Sequence, residues 1–146
     1  MRTIALRFGE TFSPECGTIA AHQTIIDTLG YVWYGKLGAA VSAKTIKEIT
    51  QNTDPKFLLI KSGKTERYWV HIKEVSTEKP LASEYPAYYR DKSEAMKTWF
   101  KVTSFESAPK DIMSHCFVTS SGKSLSEASR LSMNPCFIIE YREDEK

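Results

Sequence analysis

The amino-acid sequence predicts an α+β domain, a small mixed β-barrel flanked by short α-helices. Periodic segments follow one another in the order β-α-β-α-β-β-loop-β-β-α-β, so strands outnumber helices. Most connections are short and contain glycine, proline or polar residues. The sequence contains no βαβ repeat, heptad pattern or low-complexity segment. These observations favour a curved sheet with helices on its outside over an open parallel sheet or a helical bundle.

The first half of the chain is predicted to contain short strands alternating with two helices. The segment Thr3–Phe8 alternates as a strand. Thr18 is the predicted N-cap of a helix that ends at Gly30, and the aromatic strand YVWYGK follows. Ser42 is the predicted N-cap of a second helix, which ends in a turn before Pro55.

The second half is predicted to contain a hairpin, a long loop and three further strands. The segments KFLLIKSG and RYWVHIKEV flank a turn at residues 62–65. A tyrosine-rich stretch, residues 76–95, is predicted as a long ordered loop with one helical turn, because its aromatic rings argue against disorder. The strand from Met96 to Glu106 follows, then a short strand CFVTSS, a polar helix and a last strand CFIIEYRE.

Composition predicts one cytoplasmic globular domain that spans residues 1–146. The chain is 41% hydrophobic and 26% charged, with a net charge of only +2, so any contact with nucleic acid must come from a local groove. Cys16, Cys116 and Cys136 form no CxxC pair, which indicates reduced thiols, the last two as small core residues. The N-terminus lacks the pattern of a signal peptide, and no apolar stretch is long enough to span a membrane.

Motifs that would indicate catalysis or a cofactor are weak. The segment SSGKS lacks the first glycine of a phosphate-binding loop, because Phe117 stands at that position, so Ser124 is predicted to cap a helix instead. His22, His71 and His115 have no metal-ligand spacing, and His22 lies on the apolar stripe of its helix, as a core histidine would. No nucleophile elbow is present. We therefore predict no metal, no cofactor and no catalytic residue.

The aromatic residues are the most informative feature. On a pleated strand, Tyr31 and Trp33 point to one face, and Val32 and Tyr34 to the other. Two later strands alternate in the same way: Tyr68, Val70 and Ile72 oppose Trp69 and His71, and Met96, Thr98, Phe100 and Val102 oppose Lys97, Trp99 and Lys101. One face of each strand fills the core, and the remaining rings either cover the ends of the barrel or face a ligand.

Three segments in the middle of the chain carry a family resemblance. They are FLLIKSGKTERYWVHIKEV, the tyrosine-rich YPAYYRDKSEAM and WFKVTSFESAPKDI. In this order they resemble the middle of a YTH or EVE domain, which belongs to the PUA-like superfamily. The stretch HQTIIDTLGYVWYG resembles the helix and strand that carry the first cage tryptophan of YTH domains, and SSGKSLSEASR resembles the polar stretch before the closing elements of that fold.

The resemblance implies a module that binds DNA or RNA and holds a single flipped, modified base in an aromatic cage. By position Trp33 matches the first cage ring, Tyr88 or Tyr89 falls near the second and Met96 near the third. Tyrosine and methionine here depart from the bulkier or more apolar partners of that family. The predicted cage comprises Trp33, Tyr34, Tyr88, Tyr89, Met96 and Trp99. A predicted rim contacts the nucleic-acid backbone and comprises Lys36, Lys61, Lys64, Lys97 and Lys101.

Two alternatives to a base-binding module remain open. The first is a hydrolase of the related ASCH branch that acts on a modified nucleoside, with Lys36 or Lys97 beside Glu74 as an acid–base pair. The second is a domain that binds a small ligand or mediates protein contacts. A pure binding module would act on nucleic acid through an effector protein or by occlusion.

Two interpretations of the aromatic strand, a ligand cage and a packed core, differ in the role that they give to Trp33. A cage wall faces a cavity, whereas a core residue packs against the protein. Gly30, Gly35 and Gly38 favour the cage, because bulk at these positions would obstruct a base that enters beside the ring.

Overall fold

The computed structural model describes residues 1–9, 15–61 and 65–143, and of residues 90 and 91 it describes the backbone alone. Within these residues the chain forms a mixed α+β structure with seven strands and three α-helices. The strands are β1 (Arg2–Phe8), β2 (Val32–Leu37), β3 (Lys56–Lys61), β4 (Arg67–Ser76), β5 (Met96–Ser107), β6 (Cys116–Val118) and β7 (Cys136–Tyr141). The helices are α1 (Thr18–Leu29), α2 (Ala43–Thr50) and α3 (Leu125–Leu131). None of the helices in the described residues is long and apolar enough to cross a bilayer.

The seven strands form one sheet in the order β2-β5-β4-β3-β1-β7-β6. β1 and β3 are parallel, and every other neighbouring pair is antiparallel. The α+β class is thus as predicted, whereas closure into a barrel is not confirmed. No ladder joins β2 to β6 or β1 among the described strands, so the sheet stays open with β2 at one edge and β6 at the other.

Each face of the sheet buries its own apolar cluster. The first cluster combines alternate strand residues such as Val32, Phe57 and Phe100 with partly buried side chains of α1. The second lies on the opposite face, where residues of β1, β3, β4 and β7 pack against α3 and the short 3-10 helix Ile112–His115. Cys116 is buried in this second cluster. Alternation along the strands therefore divides the apolar residues between two cores, as the period of two predicts.

The helix ends follow the predicted caps with one exception. The hydroxyls of Ser42 and Ser124 accept hydrogen bonds from the third residue of their helices, and Gly30 ends α1 in the left-handed conformation. The prediction of Thr18 as an N-cap is wrong. Gly17 occupies the cap position with φ +93°, where a residue without a side chain is favoured, and Thr18 begins the helix.

The stretch after β4 covers the outer face of β2 and β5. It forms two consecutive 3-10 helices, Ala82–Glu84 and Ala87–Ala95, which together we call the tyrosine segment (residues 82–95). Its Tyr85 and Tyr89 form a third cluster with Trp33, Met96 and Trp99. The hairpin turn predicted at residues 62–65 lies mostly outside the described residues.

The predicted alternation of β5 is wrong at its first residue. Met96 was expected opposite Trp99, but both side chains belong to the third cluster. The reason is an irregularity in the pairing with β2: Lys36 lies opposite Thr98, whereas Leu37 lies opposite Met96, so Lys97 is skipped. Because Lys97 has no partner on β2, the side chain of Met96 emerges on the face opposite to the one that strict alternation predicts.

Gly35 is required by packing of the protein against itself. A Cβ atom at this position would lie 2.2 Å from Sδ of Met96 and 2.9 Å from a ring carbon of Trp99. Gly30 and Gly38 have φ of +86° and +84° with open space beside them, so their role is to form turns. Turn geometry and packing therefore account for these three glycines, and the expectation that they clear a path for a base stays a prediction.

We expect Gly35→Ala to destabilise the domain by about 1–3 kcal/mol, because the added methyl overpacks the third cluster. Chemical denaturation of Gly35→Ala, Met96→Ala and the double variant measures this. In the Met96→Ala background the glycine substitution should cost less, since the nearest clashing atom is gone. Equal costs in both backgrounds would contradict this account of Gly35.

Candidate functional site

The main candidate site is a cavity of about 310 Å³ between the ends of β1 and β2. Three strands separate β1 from β2 in the sheet, yet residues of both line the same cavity, so the sheet must curl until these strands approach each other. The cavity occupies the gap that strand pairing leaves open. Its lining consists of Leu6, Arg7, Phe8, Gly9, Thr18, Tyr34, Gly35, Lys36, Leu37, Tyr88, Tyr89, Lys92, Met96 and Pro135.

The lining combines apolar walls with positive charge. Arg7, Lys36 and Lys92 are cationic, and no aspartate or glutamate is found among the described residues that line the cavity. The guanidinium of Arg7 donates to the carbonyl oxygens of Ser129, Ser132 and Asn134 and so is held at the end of α3. The ammonium of Lys36 donates to the carbonyls of Leu37 and Ala39 at 3.3 and 2.7 Å. The site therefore favours a ligand with negative charge or hydrogen-bond acceptors.

A buried hydrogen-bond chain crosses the wall of the cavity. The backbone N–H of Gly35 donates to the hydroxyl of Tyr89 at 3.2 Å, and this hydroxyl lies 2.5 Å from Nε2 of His22. Nδ1 of His22 lies 2.8 Å from the carbonyl oxygen of Thr18. A carbonyl can only accept, so Nδ1 carries the proton and Nε2 accepts from the hydroxyl of Tyr89. The chain joins β2, the tyrosine segment and α1.

His22 is neutral in the folded protein. Burial lowers the pKa of His22 from 6.5 to about 4, and the hydrogen bond to the carbonyl of Thr18 opposes this shift only in part. Its side chain is fully buried, beside the rings of Tyr34 and Tyr89. The prediction of a satisfied core histidine is confirmed.

Four of the six predicted cage residues line the cavity. They are Tyr34, Tyr88, Tyr89 and Met96. Tyr34 and Met96 come from the paired strands β2 and β5, and the two neighbouring tyrosines come from the tyrosine segment. The sequence analysis thus grouped Tyr34 with three residues that lie 54 or more positions further along the chain. Their role in binding a base stays a prediction.

The two remaining cage candidates, Trp33 and Trp99, lie outside the cavity lining. Trp33 is 8% exposed, and its indole N–H donates to Glu84 at 3.3 Å. The hydroxyl of Tyr31 donates to the same carboxylate at 2.7 Å. Trp99 is fully buried against Tyr85, with the ring centroids 5.2 Å apart. Its indole nitrogen is the one enclosed side-chain polar atom that has no hydrogen-bond partner in the described part of the chain. Both indoles pack against the protein.

The predicted lysine rim is only partly assembled around the cavity. Lys36 lines it, whereas Lys97 is exposed on β5 and Lys61 pairs with Glu66 at 3.4 Å. Lys101 lies 3.5 Å from a carboxylate oxygen of Glu74 and 4.4 Å from the ring centroid of Tyr31. Lys64 lies outside the described residues.

The acid–base pair of the hydrolase alternative is not assembled at the cavity. Glu74 bonds to Lys101 on β5, and neither Glu74 nor Lys97 is among the lining residues. Within the described residues no group of three histidine, cysteine or acidic side chains is placed to hold a metal ion.

Sequence reasoning missed several lining residues, of which Arg7, Phe8 and Lys92 carry the clearest chemistry. Arg7 and Phe8 end β1, a segment that was predicted as a strand without a functional role. The parallel pairing of β1 with β3, which brings its end to the cavity, has no local sequence signal. Lys92 follows the two tyrosines of YYRDK, so its position in an aromatic segment was the available signal.

Comparison with known proteins identifies the family. The PUA-like family model matches residues 4–140, nearly the whole chain. This protein therefore belongs to the PUA-like family. No curated protein matches the chain significantly. The same holds for the solved structures.

We expect stability to depend on pH through His22. The unfolded chain binds a proton at His22 below about pH 6.5, while the folded protein does so only near pH 4, so stability falls as pH drops through this window. The loss at pH 4 is roughly 3 kcal/mol for this shift. Urea denaturation between pH 7 and 4 measures it.

The matched variant is His22→Gln, which cannot titrate. Below about pH 4.5, Glu140 adds its own acid sensitivity, since hydrogen bonds to the N-terminal ammonium and Arg2 lower the pKa of its carboxyl. The difference between the two proteins isolates His22. An identical pH dependence in both would show that His22 is not the group responsible.

We expect Trp33→Ala to destabilise the domain by about 3–5 kcal/mol, because it removes a buried indole from the third cluster. Thermal or urea denaturation measures the loss, and Leu81→Ala at a 71% exposed position serves as a control. An unchanged stability combined with weakened ligand binding would instead support the cage role predicted from the sequence.

Proposed function

We propose that this PUA-like domain is a nucleic-acid-binding module of the YTH/EVE type that holds one modified base of DNA or RNA. PUA-like domains commonly bind nucleic acids. The base would occupy the cavity between β1 and β2, and the observation that carries the proposal is the lining of that cavity: tyrosine rings, apolar side chains and three cations without an acid among the described residues.

The size and the walls of the cavity suit a flat aromatic ligand. A volume of about 310 Å³ lies at the lower end of the range of roughly 300–1,000 Å³ for ligand pockets, which fits one base better than a folded segment of nucleic acid. Tyr88 supplies ring surface, and Met96 supplies a polarizable contact. Stacking on such rings contributes roughly 1–3 kcal/mol per base.

The surrounding charge suits the phosphates next to that base. Lys36 and Lys92 both line the cavity, and Arg7 adds positive charge at its wall. The overall net charge of +2 is too small to attract a polyanion by itself. The positive potential is therefore local, which favours recognition of a single extruded nucleotide over binding along a duplex.

Binding without catalysis is favoured over hydrolysis of a modified nucleoside. The carboxylate proposed for acid–base chemistry, Glu74, is paired with Lys101 and does not line the cavity. An effector protein would then supply any reaction on the nucleic acid, or the domain would act by occlusion.

We expect single-stranded oligonucleotides with one modified base to bind more tightly than matched plain ones. Contact with two or three phosphates should make log Kd change with log salt concentration with a slope of about 1.5–2. Lys36→Ala should weaken binding to all sequences alike and make this slope shallower. Fluorescence anisotropy in 50–300 mM salt measures both.

The matched control is Lys123→Ala. Lys123 lies next to β6, at the opposite edge of the sheet from β2, so it should not affect binding. Absence of binding to every oligonucleotide would refute the proposed function. Recovery of a chemically altered nucleoside by mass spectrometry would favour the hydrolase instead.

A further inference from the structure

The hydroxyl of Tyr34 is a polar group that lines the cavity without a hydrogen-bond partner among the described residues. Tyr34 is 8% exposed, and its hydroxyl forms no hydrogen bond with any described residue. It is not one of the enclosed unpaired atoms, so it reaches open space, and Tyr34 lines the cavity. The neighbouring Tyr89 differs: its hydroxyl is bonded to both His22 and Gly35.

The hydroxyl of Tyr34 is not needed for the packing of its own ring. The ring of Tyr34 packs in the first cluster against Phe57 and His22, with ring centroids at 5.9 and 5.2 Å. Phenylalanine would make the same ring contacts, so packing alone does not require the hydroxyl. The ring therefore belongs to the core, and the hydroxyl belongs to the cavity.

The surroundings make this hydroxyl a hydrogen-bond donor. Burial, reinforced by the nearby Tyr88, raises the pKa of Tyr34 well above its usual value, so the hydroxyl keeps its proton. Lys36 lies two residues further along β2, on the same side of the strand, and its two carbonyl partners leave one ammonium N–H. Both side chains can donate toward the same part of the cavity.

Resting on the proposed function, we infer that Tyr34 determines specificity by donating its hydroxyl proton to a negatively charged oxygen on the bound nucleotide, with Lys36 beside it. Two sources share this chemistry: a carboxylate substituent on the modified base and the phosphate of the nucleotide itself. A methyl substituent offers no acceptor and would gain nothing from Tyr34.

The variant Tyr34→Phe tests the inference, because it removes the hydroxyl and keeps the ring. We expect its melting temperature to match or exceed that of the wild-type protein. Tyr89→Phe should lower the melting temperature, since it leaves the buried N–H of Gly35 without a partner. An equal loss of stability in both variants would mean that the hydroxyl of Tyr34 is satisfied within the protein, and would overturn the inference.

Binding is measured with two pairs of probes. The first pair is one single-stranded oligonucleotide that carries either 5-carboxylcytosine or 5-methylcytosine at the same position. The second is 5-methylcytidine with and without its 5′-phosphate. The wild-type protein should prefer the anionic member of at least one pair by about 10- to 100-fold, the range for a hydrogen bond to a charged group. Tyr34→Phe should lose that preference, and the affected pair identifies the source of the oxygen.

Tyr141→Phe serves as the control for binding, because Tyr141 packs against Trp69 in the second cluster, away from the cavity. It should bind every probe as the wild-type protein does. If Tyr34→Phe also binds every probe unchanged, the inference fails while the proposed function stands. If no probe binds to the wild-type protein, both fail.

Discussion

The position of the tyrosine segment depends on one buried chain of hydrogen bonds, from the amide of Gly35 through the hydroxyl of Tyr89 to the ring of His22 and the carbonyl of Thr18. Each of these four groups forms a hydrogen bond with its neighbour, so none of the four is buried without a partner. The segment consists of two 3-10 helices, whose backbone hydrogen bonds have poorer geometry than those of an α-helix. Tyr89 attaches it to β2 and α1, and the wall of the cavity forms as a result. A charged imidazole would break this chain, because Nε2 could no longer accept.

The third cluster explains why the aromatic residues are so dense on β2. Tyr85 of the tyrosine segment packs with Trp33 and Trp99 of the sheet in this small core. Gly35 allows Met96 and Trp99 to pack directly on the strand backbone. The cavity borders this cluster, because Tyr89 and Met96 also line it, together with Tyr34 and Lys36 of β2. Aromatic residues on this strand thus have two functions: one face supports the segment, and the other lines the space that a ligand would enter.

Local signals in the sequence predicted the elements well, and long-range pairing limited the rest. The caps Ser42 and Ser124, the end of α1 at Gly30 and the alternation in β2 depend on neighbouring residues and were recognisable. The side on which Met96 emerges depends on a pairing irregularity with β2, and the presence of Arg7 and Phe8 at the cavity depends on how β1 pairs and how the sheet curls. Neither has a local signature. The local sequence around a strand tryptophan such as Trp33 is the same whether a ligand or a second layer of the protein covers its ring.

The hydrogen bond between Gly35 and Tyr89 also affects association between molecules of this protein. β2 is an edge strand, and an edge with free amides can pair with a strand of another molecule and start aggregation. The hydroxyl of Tyr89 occupies the outward amide of Gly35, and the tyrosine segment covers the adjacent face. At the other edge β6 has only three residues, too few for a stable intermolecular ladder. The sheet can remain open, with space for a cavity, because neither edge offers a long unprotected strand.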